Sequence, residues 1–160
     1  MNEFFGKNII SVRDLDKQKL ELIFDATNKI INMSQDKRGE IARGKTLGYL
    51  FFEPSSRTRL SFESAMALLG GMSVGIADAT SSSIHKGETL GDTVKVISSY
   101  CDVLVLRHSL DGSSRFAAEI SSKPVINAGS GTEEHPTQTI QDLYTIKKEK
   151  KKIDGLKIGI

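Results

Sequence analysis

Short apolar runs alternate with stretches of helical periodicity along most of this 160-residue chain, and this alternation restricts the folds open to it. Four runs have the length and composition of buried strands: 46–52, 73–77, 103–106 and 125–128. Strands that alternate with helices make right-handed crossovers, which place the strands parallel in one sheet. We therefore predict an α/β fold with three α/β/α layers, in which a parallel sheet is flanked by helices on both faces.

Apolar residues spaced three or four positions apart predict the helices that join these strands. The first helix is expected near 15–33, where Asp14 or Asp16 can cap its start. Four later helices are expected. The first ends at the glycine pair 70–71 and the second carries Leu90, Val94 and Ile97. The third spans 115–120 and the fourth begins near Pro136.

The composition is that of an ordinary globular domain, with 38% hydrophobic residues, 26% charged residues and a formal net charge of +2. So small a charge gives no reason to expect a nucleic-acid or membrane partner. The N-terminus lacks the pattern of a secretion signal and no apolar stretch approaches a membrane span, so a cytoplasmic location is expected. The single cysteine, Cys101, has apolar neighbours that predict a buried structural thiol. The lysine-rich stretch 147–152 is interpreted as a helix C-terminus, where cations are favourable.

Residues 53–59 (EPSSRTR) place two arginines and three hydroxyls at a strand-to-helix junction. The first amides of a helix have no partner within the helix and lie at the positive end of its dipole, so an anion is favoured there. A guanidinium adds paired donors suited to phosphate or carboxylate. The alternative is that Ser55 or Ser56 only caps the helix while the arginines are solvated. Because a cap accounts for one hydroxyl and not for the cluster, we favour an anion site.

Polar loops follow each predicted strand, at 55–59, 78–86, 107–108 and 129–135. In a parallel sheet these loops share the edge formed by the carboxyl ends of the strands, where ligands bind. Each loop carries cationic or hydrogen-bonding groups. The expected ligand is therefore an anion bound at this edge of the sheet.

Two separated motifs, residues 53–63 and the HPTQ sequence at 135–138, closely resemble the aspartate/ornithine carbamoyltransferase family. Residues 81–90 are similar to the lysine-bearing loop of the aspartate-specific members rather than to that of the ornithine-specific ones. The resemblance covers the carbamoyl-phosphate-binding half of the family. It implies that 1–150 form this domain and that 151–160 begin an aspartate-binding domain, so the chain is expected to be part of a longer protein. Residues 156–160 look like the start of a further strand.

The resemblance also implies roles for individual residues. The phosphate of carbamoyl phosphate is held by Ser55, Ser56, Arg57 and Thr58. The carbonyl oxygen of the carbamoyl group is polarised by Thr58, Arg107 and His135, and its amide is bound by Gln138. The alternatives are that Arg107 is a surface arginine in an ion pair, which its place at a strand end disfavours, that His135 is a capping or solvated histidine, and that Gln138 is solvated.

Ser82 and Lys86 lie in the 78–86 loop, and the resemblance implies that they enter the active site of a neighbouring subunit. A homotrimer with shared sites follows from that, with regulatory chains as possible partners. His85 is given no role. Ser130 departs from the family pattern, because many relatives have aspartate there.

The reaction implied is carbamoyl transfer from carbamoyl phosphate to L-aspartate in pyrimidine biosynthesis. The alternatives are ornithine carbamoyltransferase and a non-catalytic phosphate-binding module. The acidic residues are not spaced with histidine or cysteine as metal ligands, so neither a metal nor an organic cofactor is expected. Because the family's aspartate-binding residues lie beyond Ile160, the chain alone is expected to bind carbamoyl phosphate weakly without turning it over.

Overall fold

The computed structural model describes residues 3–77, 87–132 and 134–159. Within that part, one parallel sheet has the strand order β2-β1-β3-β4. Its strands are β1 Thr46–Phe51, β2 Met72–Ile76, β3 Val103–His108 and β4 Val125–Ser130. The parallel α/β sheet predicted from the alternating pattern is confirmed.

The helices that surround the sheet include every helix expected from the periodicity: α1 Lys17–Ile31, α2 Gln35–Arg38, α3 Ser56–Leu68, α4 Leu90–Ser98, α5 Ser113–Ile120 and α6 Pro136–Lys150. The short helix α2 and a 3₁₀ turn at Val12–Asp14 were not expected, since neither is long enough to show a period. Asp16 caps α1, because its carboxylate accepts the Lys19 N–H at 2.8 Å.

Two separate apolar clusters show that helices cover both faces of the sheet. On one face α4 and α5 pack on the strands through Val94, Ile97, Ala117, Leu50, Leu104 and Leu106. On the other face α3 packs through Met66 against Leu47, Phe51, Val105 and Ala128. Cys101 belongs to the first cluster and is buried, as predicted. Arg107 and Ala128 follow Val105 and Ile126 by two residues, so they lie on the α3 face.

The free edge of β4 is covered by residues 8–12, which we call the N-terminal segment. The Ile9 N–H donates to the Val125 carbonyl at 2.9 Å, and the Asn127 N–H donates back to the Ile9 carbonyl at 2.8 Å. The side-chain amide of Asn127 also donates to the Ile10 carbonyl at 2.9 Å. The segment therefore runs beside β4 toward the carboxyl edge of the sheet.

Most element ends differ from the sequence prediction by one or two residues, and three differences change the element to which residues were assigned. Arg107 was expected just after its strand, but β3 continues through His108, because these residues still pair with neighbouring strands. Ser130 was expected in a loop and instead ends β4, paired with His108. Residues 156–159 were expected to start a strand and are irregular, since no strand of the described sheet pairs with them.

The order β2-β1-β3-β4 reverses direction between β1 and β3. The crossover from β1 leads to one side of the sheet, and those reaching β3 and β4 lead to the other. Loops diverge at such a point and leave a crevice beyond the carboxyl ends of the strands. The residues that follow β1, including 53–59, and the end of β3 with Arg107 meet at this crevice. In the part of the chain that the structure describes, no helix is long and apolar enough to cross a membrane.

Candidate active site

A cavity of about 770 Å³ lies at this crevice and is lined by residues from three distant stretches of the chain. Seven of its lining residues are the site residues predicted from the sequence: Ser55, Ser56, Arg57, Thr58, Arg107, His135 and Gln138. Ser82, Lys86 and His85 lie outside the described residues. Thr137 and Gln141 also line the cavity and were not predicted, although both fall on the helix that starts with the HPTQ motif.

The first turn of α3 forms one wall of the cavity. Ser55 occupies the N-cap position, but its hydroxyl makes no capping hydrogen bond. The interpretation of Ser55 as a simple cap is therefore wrong. The hydroxyls of Ser55, Ser56 and Thr58 line the cavity beside amides that have no partner within the helix.

The two arginines of the motif have different environments. Arg59 pairs with Glu63 one turn later, at 3.0 Å, and does not line the cavity. Arg57 is exposed, lines the cavity and has no ion-pair partner among the described residues. Only one guanidinium of the motif is therefore available to an anion in the cavity.

Arg107 is held at the base of the cavity by two strand ends. Its Nη1 donates to the Ala128 carbonyl and its Nη2 to Glu53 Oε1, both at 3.1 Å. The side chain is 18% exposed, and its buried Nε has no partner among the described residues. Glu53 was missed by the sequence analysis, although its place directly after β1 and before the serines was a usable signal. It fixes the guanidinium and partly neutralises its charge.

Gly129 allows Arg107 and His135 to come together. A Cβ atom at this position would lie 2.9 Å from Arg107 Nη1 and 3.4 Å from His135 Cδ2. The backbone φ angle of Gly129 is +112°, which side chains disfavour. The glycine next to the end of β4 is thus what permits a guanidinium and an imidazole to approach the same point.

His135 caps α6 through its ring. Its Nδ1 accepts the Gln138 N–H at 3.3 Å and lies 3.2 Å from the Thr137 hydroxyl. Burial, followed by the charge of Arg107, lowers the pKa of His135 below its ordinary value of 6.5. The ring is therefore neutral at pH 7. Because Nδ1 is an acceptor, the proton is on Nε2, which makes His135 a hydrogen-bond donor through that atom.

Gln138 is oriented by Asp142 one turn further along α6. Its Nε2 donates to Asp142 Oδ1 at 2.9 Å. The amide oxygen is then the atom left to accept a hydrogen bond from a ligand N–H.

Ser130, which departs from the family pattern, does not line the cavity. Its buried hydroxyl forms a hydrogen bond with the Ser114 hydroxyl and donates to Asn127 Oδ1 at 3.0 Å. Ser130 therefore lies outside the cavity lining, and polar side chains form hydrogen bonds with its hydroxyl.

The cavity gathers helix N-terminal amides and hydroxyls, two guanidiniums, a neutral imidazole donor and an amide acceptor. Such a set binds a phosphate at one end and a carbonyl oxygen with an adjacent N–H group at the other. In the described part of the chain, no group of three or more histidine, cysteine, aspartate or glutamate side chains is arranged to hold a metal ion.

Comparison with known proteins gives consistent results. The family model for the "Aspartate/ornithine carbamoyltransferase, carbamoyl-P binding domain" matches residues 7–148. The aspartate carbamoyltransferase catalytic subunit of Nitrosopumilus maritimus is 71% identical over 160 residues, which are 100% of this chain and 52% of the relative. That of Thermococcus onnurineus is 51% identical over 160 residues, covering 99% of this chain and 51% of the relative.

Solved structures of similar proteins share the fold. The catalytic subunit of M. jannaschii aspartate transcarbamoylase matches with a TM-score of 0.86 and 47% identity, over 94% of this chain and 49% of that one. Aspartate transcarbamoylase from Trypanosoma cruzi, in complex with carbamoyl phosphate and aspartate, matches with a TM-score of 0.86 and 37% identity, over 94% and 50%. The chain thus spans about half the length of the relatives it matches.

Proposed function

The chain belongs to the aspartate/ornithine carbamoyltransferase family, and from this premise we propose that it is the carbamoyl-phosphate-binding part of an aspartate carbamoyltransferase catalytic subunit. In the proposed reaction, the amino group of L-aspartate attacks the carbonyl carbon of carbamoyl phosphate. The products are N-carbamoyl-L-aspartate and phosphate, in a step of pyrimidine biosynthesis.

One observation carries this proposal. Residues from the EPSSRTR motif, the end of β3 and the HPTQ motif line the same cavity, although more than 70 residues separate Arg57 from His135 along the chain. Arg107 and His135 each have an ordinary structural explanation when taken alone. The convergence of the three stretches supplies donors for both ends of one small doubly charged molecule.

The phosphate end is assigned to the first turn of α3. Ser55, Ser56 and Thr58 offer hydroxyls and main-chain amides, and Arg57 offers an unpaired guanidinium. The main-chain amides are fixed by the helix before the ligand arrives, and together with the hydroxyls and Arg57 they stabilise the negative charge that accumulates as phosphate leaves.

The carbonyl end is assigned to Thr58, Arg107 and His135. The amine nitrogen forms a bond to the carbonyl carbon, and the carbonyl oxygen gains negative charge that these three donors stabilise. The bond from that carbon to the bridging oxygen then breaks, and phosphate departs with the electron pair. In net terms, the nitrogen loses one proton and phosphate gains one. The Gln138 amide oxygen accepts from the carbamoyl NH₂.

The remaining residues and partners are proposed from the family resemblance. Ser82 and Lys86 would complete the site of a neighbouring subunit in a homotrimer, with Lys86 stabilising the phosphate. L-Aspartate is the proposed second substrate, regulatory chains are possible partners, and a cytoplasmic location stays a prediction. The names of the relatives favour aspartate over ornithine as the acceptor.

Calorimetry on the 160-residue chain tests the assignment. We expect carbamoyl phosphate to bind more tightly than inorganic phosphate, because only the former also meets Arg107, His135 and Gln138. Arg57→Ala should weaken the binding of both ligands by about 10- to 100-fold, the effect of losing hydrogen bonds to a charged group.

Arg59→Ala is the matched control, since this arginine of the same motif pairs with Glu63 and lies outside the cavity lining. The affinity of Arg59→Ala should stay within about twofold of that of the unaltered chain, because the Arg59 guanidinium is bound by Glu63 and does not line the cavity. Equal affinity for carbamoyl phosphate and inorganic phosphate would favour a non-catalytic phosphate-binding module. Equal effects of Arg57→Ala and Arg59→Ala would contradict the proposed site.

A further inference from the structure

The side chain of Glu134 connects the N-terminal segment to the loop that carries His135. Its Oε1 accepts the Ser11 hydroxyl at 2.8 Å, and its Oε2 accepts the Val12 N–H at 2.7 Å. These contacts join residues 122 and 123 positions apart in the chain. Ser11 is 3% exposed, and its hydroxyl oxygen also accepts the Arg13 N–H at 3.1 Å. Both carboxylate oxygens are therefore bound to a segment that is itself fixed along β4.

The main chain of Glu134 is held from the other side. Its carbonyl accepts the Ser130 N–H at 3.3 Å, in an isolated antiparallel bridge between these two residues. The next residue, His135, is the N-cap of α6 and accepts the Gln138 N–H through Nδ1. The peptide that sets the direction of the imidazole is thus attached directly to a residue fixed at both its carboxylate and its carbonyl.

We propose that Glu134 is a positioning residue for His135, and that the N-terminal segment supports the active site through the two hydrogen bonds it donates to the Glu134 carboxylate. The proposal rests on the function proposed for His135 as a donor from Nε2. That function requires Nδ1 to keep accepting the Gln138 N–H. The Gln138 nitrogen lies 3.3 Å from Nδ1, which is already long for a hydrogen bond, so a small displacement would break it. A shift of the 134–135 peptide would release the ring and allow the other tautomer.

A simple anchoring role would have a different consequence. If Glu134 only fastened the N-terminal segment to the domain, its loss would lower the melting temperature and leave the His135 ring unchanged. A positioning role predicts that the ring itself changes in the folded protein. The ring nitrogens of His135 therefore report on the proposal directly, and Ser11→Ala tests it without changing the charge of Glu134.

The test uses ¹⁵N-labelled 160-residue chain, with the His135 ring nitrogens observed by NMR without ligand at a temperature where every variant is folded. The variants are Ser11→Ala, which removes one donor to the carboxylate, and Glu134→Ala, which removes both contacts. We expect each to replace the single Nε2-protonated form with a mixture of tautomers. Carbamoyl phosphate affinity should fall by about fivefold, as for a lost hydrogen bond of ordinary strength.

Two further variants sharpen the result. Glu134→Gln keeps an oxygen that can accept from Val12 N–H, so it should restore part of the unaltered ring signal. Glu119→Gln removes an exposed carboxylate on α5 and should change neither readout. If Glu134→Ala does not fold, Ser11→Ala carries the test.

Unchanged His135 nitrogen signals in Ser11→Ala and Glu134→Ala would overturn the positioning role, whatever happens to the melting temperature. The ring measurement needs no ligand, so this failure would leave the proposed function standing. The expected ring changes in the variants, together with no binding of carbamoyl phosphate by the unaltered chain, would instead count against the proposed function alone.

Discussion

Gly129 shows how a residue without a side chain determines the site. A Cβ atom there would meet Arg107 Nη1 at 2.9 Å, and the backbone φ of +112° disfavours any other residue. Arg107 cannot give way easily, because it is bonded to Ala128 and Glu53 and most of its side chain is enclosed.

Gly129→Ala should therefore displace the guanidinium and weaken carbamoyl phosphate binding by at least about tenfold, the effect of losing a charge-assisted hydrogen bond. Calorimetry measures this. Gly112→Ala is the control, since its φ of +76° imposes a similar backbone strain but nothing lies within 4 Å of the added carbon. Gly112→Ala should cost about 1 kcal/mol of stability and leave binding unchanged. Equal binding by both variants would contradict this account of Gly129.

His135 makes the stability of the protein depend on pH. Burial and the charge of Arg107 lower its pKa in the folded state, whereas in the unfolded chain the pKa returns to 6.5. Below that value the unfolded chain binds the proton more readily. The stability due to the neutral ring is thus complete above pH 6.5 and is lost as the pH falls through the folded-state pKa.

The urea midpoint should fall between pH 7 and pH 5, and His135→Gln should reduce that fall. Part of the fall should remain, because burial also lowers the pKa of His108, which acts in the same direction. A midpoint that rises on acidification, or a fall unaffected by His135→Gln, would contradict the environment described for this ring.

At the scale of elements, α1 contacts α6 through several side chains. Phe24 is 1% exposed and packs against the Tyr144 ring with centroids 5.6 Å apart. Lys147 lies over the Phe24 ring and pairs with Glu21, and the Tyr144 hydroxyl donates to Asn28 at 2.7 Å. Since His135 is the N-cap of α6, the packing of α1 supports the helix whose first turn lines the cavity.

Phe24→Ala should destabilise the protein by about 3 to 5 kcal/mol, the usual cost of emptying a buried aromatic site. Leu22→Ala on the same helix should cost at most about 1 kcal/mol, because Leu22 is 48% exposed. Urea unfolding followed by circular dichroism measures both changes. Similar losses from the two substitutions would show that α1 is not anchored through Phe24.

At the scale of the whole molecule, the proposed carbamoyl-phosphate site lies in a chain that spans only about half the length of its relatives. We expect the 160-residue chain to form no N-carbamoyl-L-aspartate when it is mixed with carbamoyl phosphate and L-aspartate, because the family's aspartate-binding residues are expected beyond Ile160. A colorimetric ureido assay measures the product, with the full-length catalytic subunit of Nitrosopumilus maritimus as the positive control. Product formed by the chain alone would refute this prediction.

Much of the fold followed from local patterns. Apolar runs of strand length and apolar residues at helical spacing predicted each main strand and helix. This worked because burial patterns and helix caps depend on residues that are close together in the sequence. The ends of β3 and β4 were placed too early, since Arg107 and Ser130 are polar and only pairing with adjacent strands keeps them extended. The short helix α2 escaped detection because four residues cannot display a period.

The sequence by itself determined the chemistry of the site: hydroxyls and an arginine at a helix start, an arginine at a strand end and a histidine before a helix. Tertiary structure alone decided how those groups are held. It left Arg57 open to the cavity, joined Arg107 to Glu53, and tied Glu134 to Ser11. Residue type limits which bonds a group can make, but contacts between residues distant in the chain depend on distances that exist only once the sheet has formed.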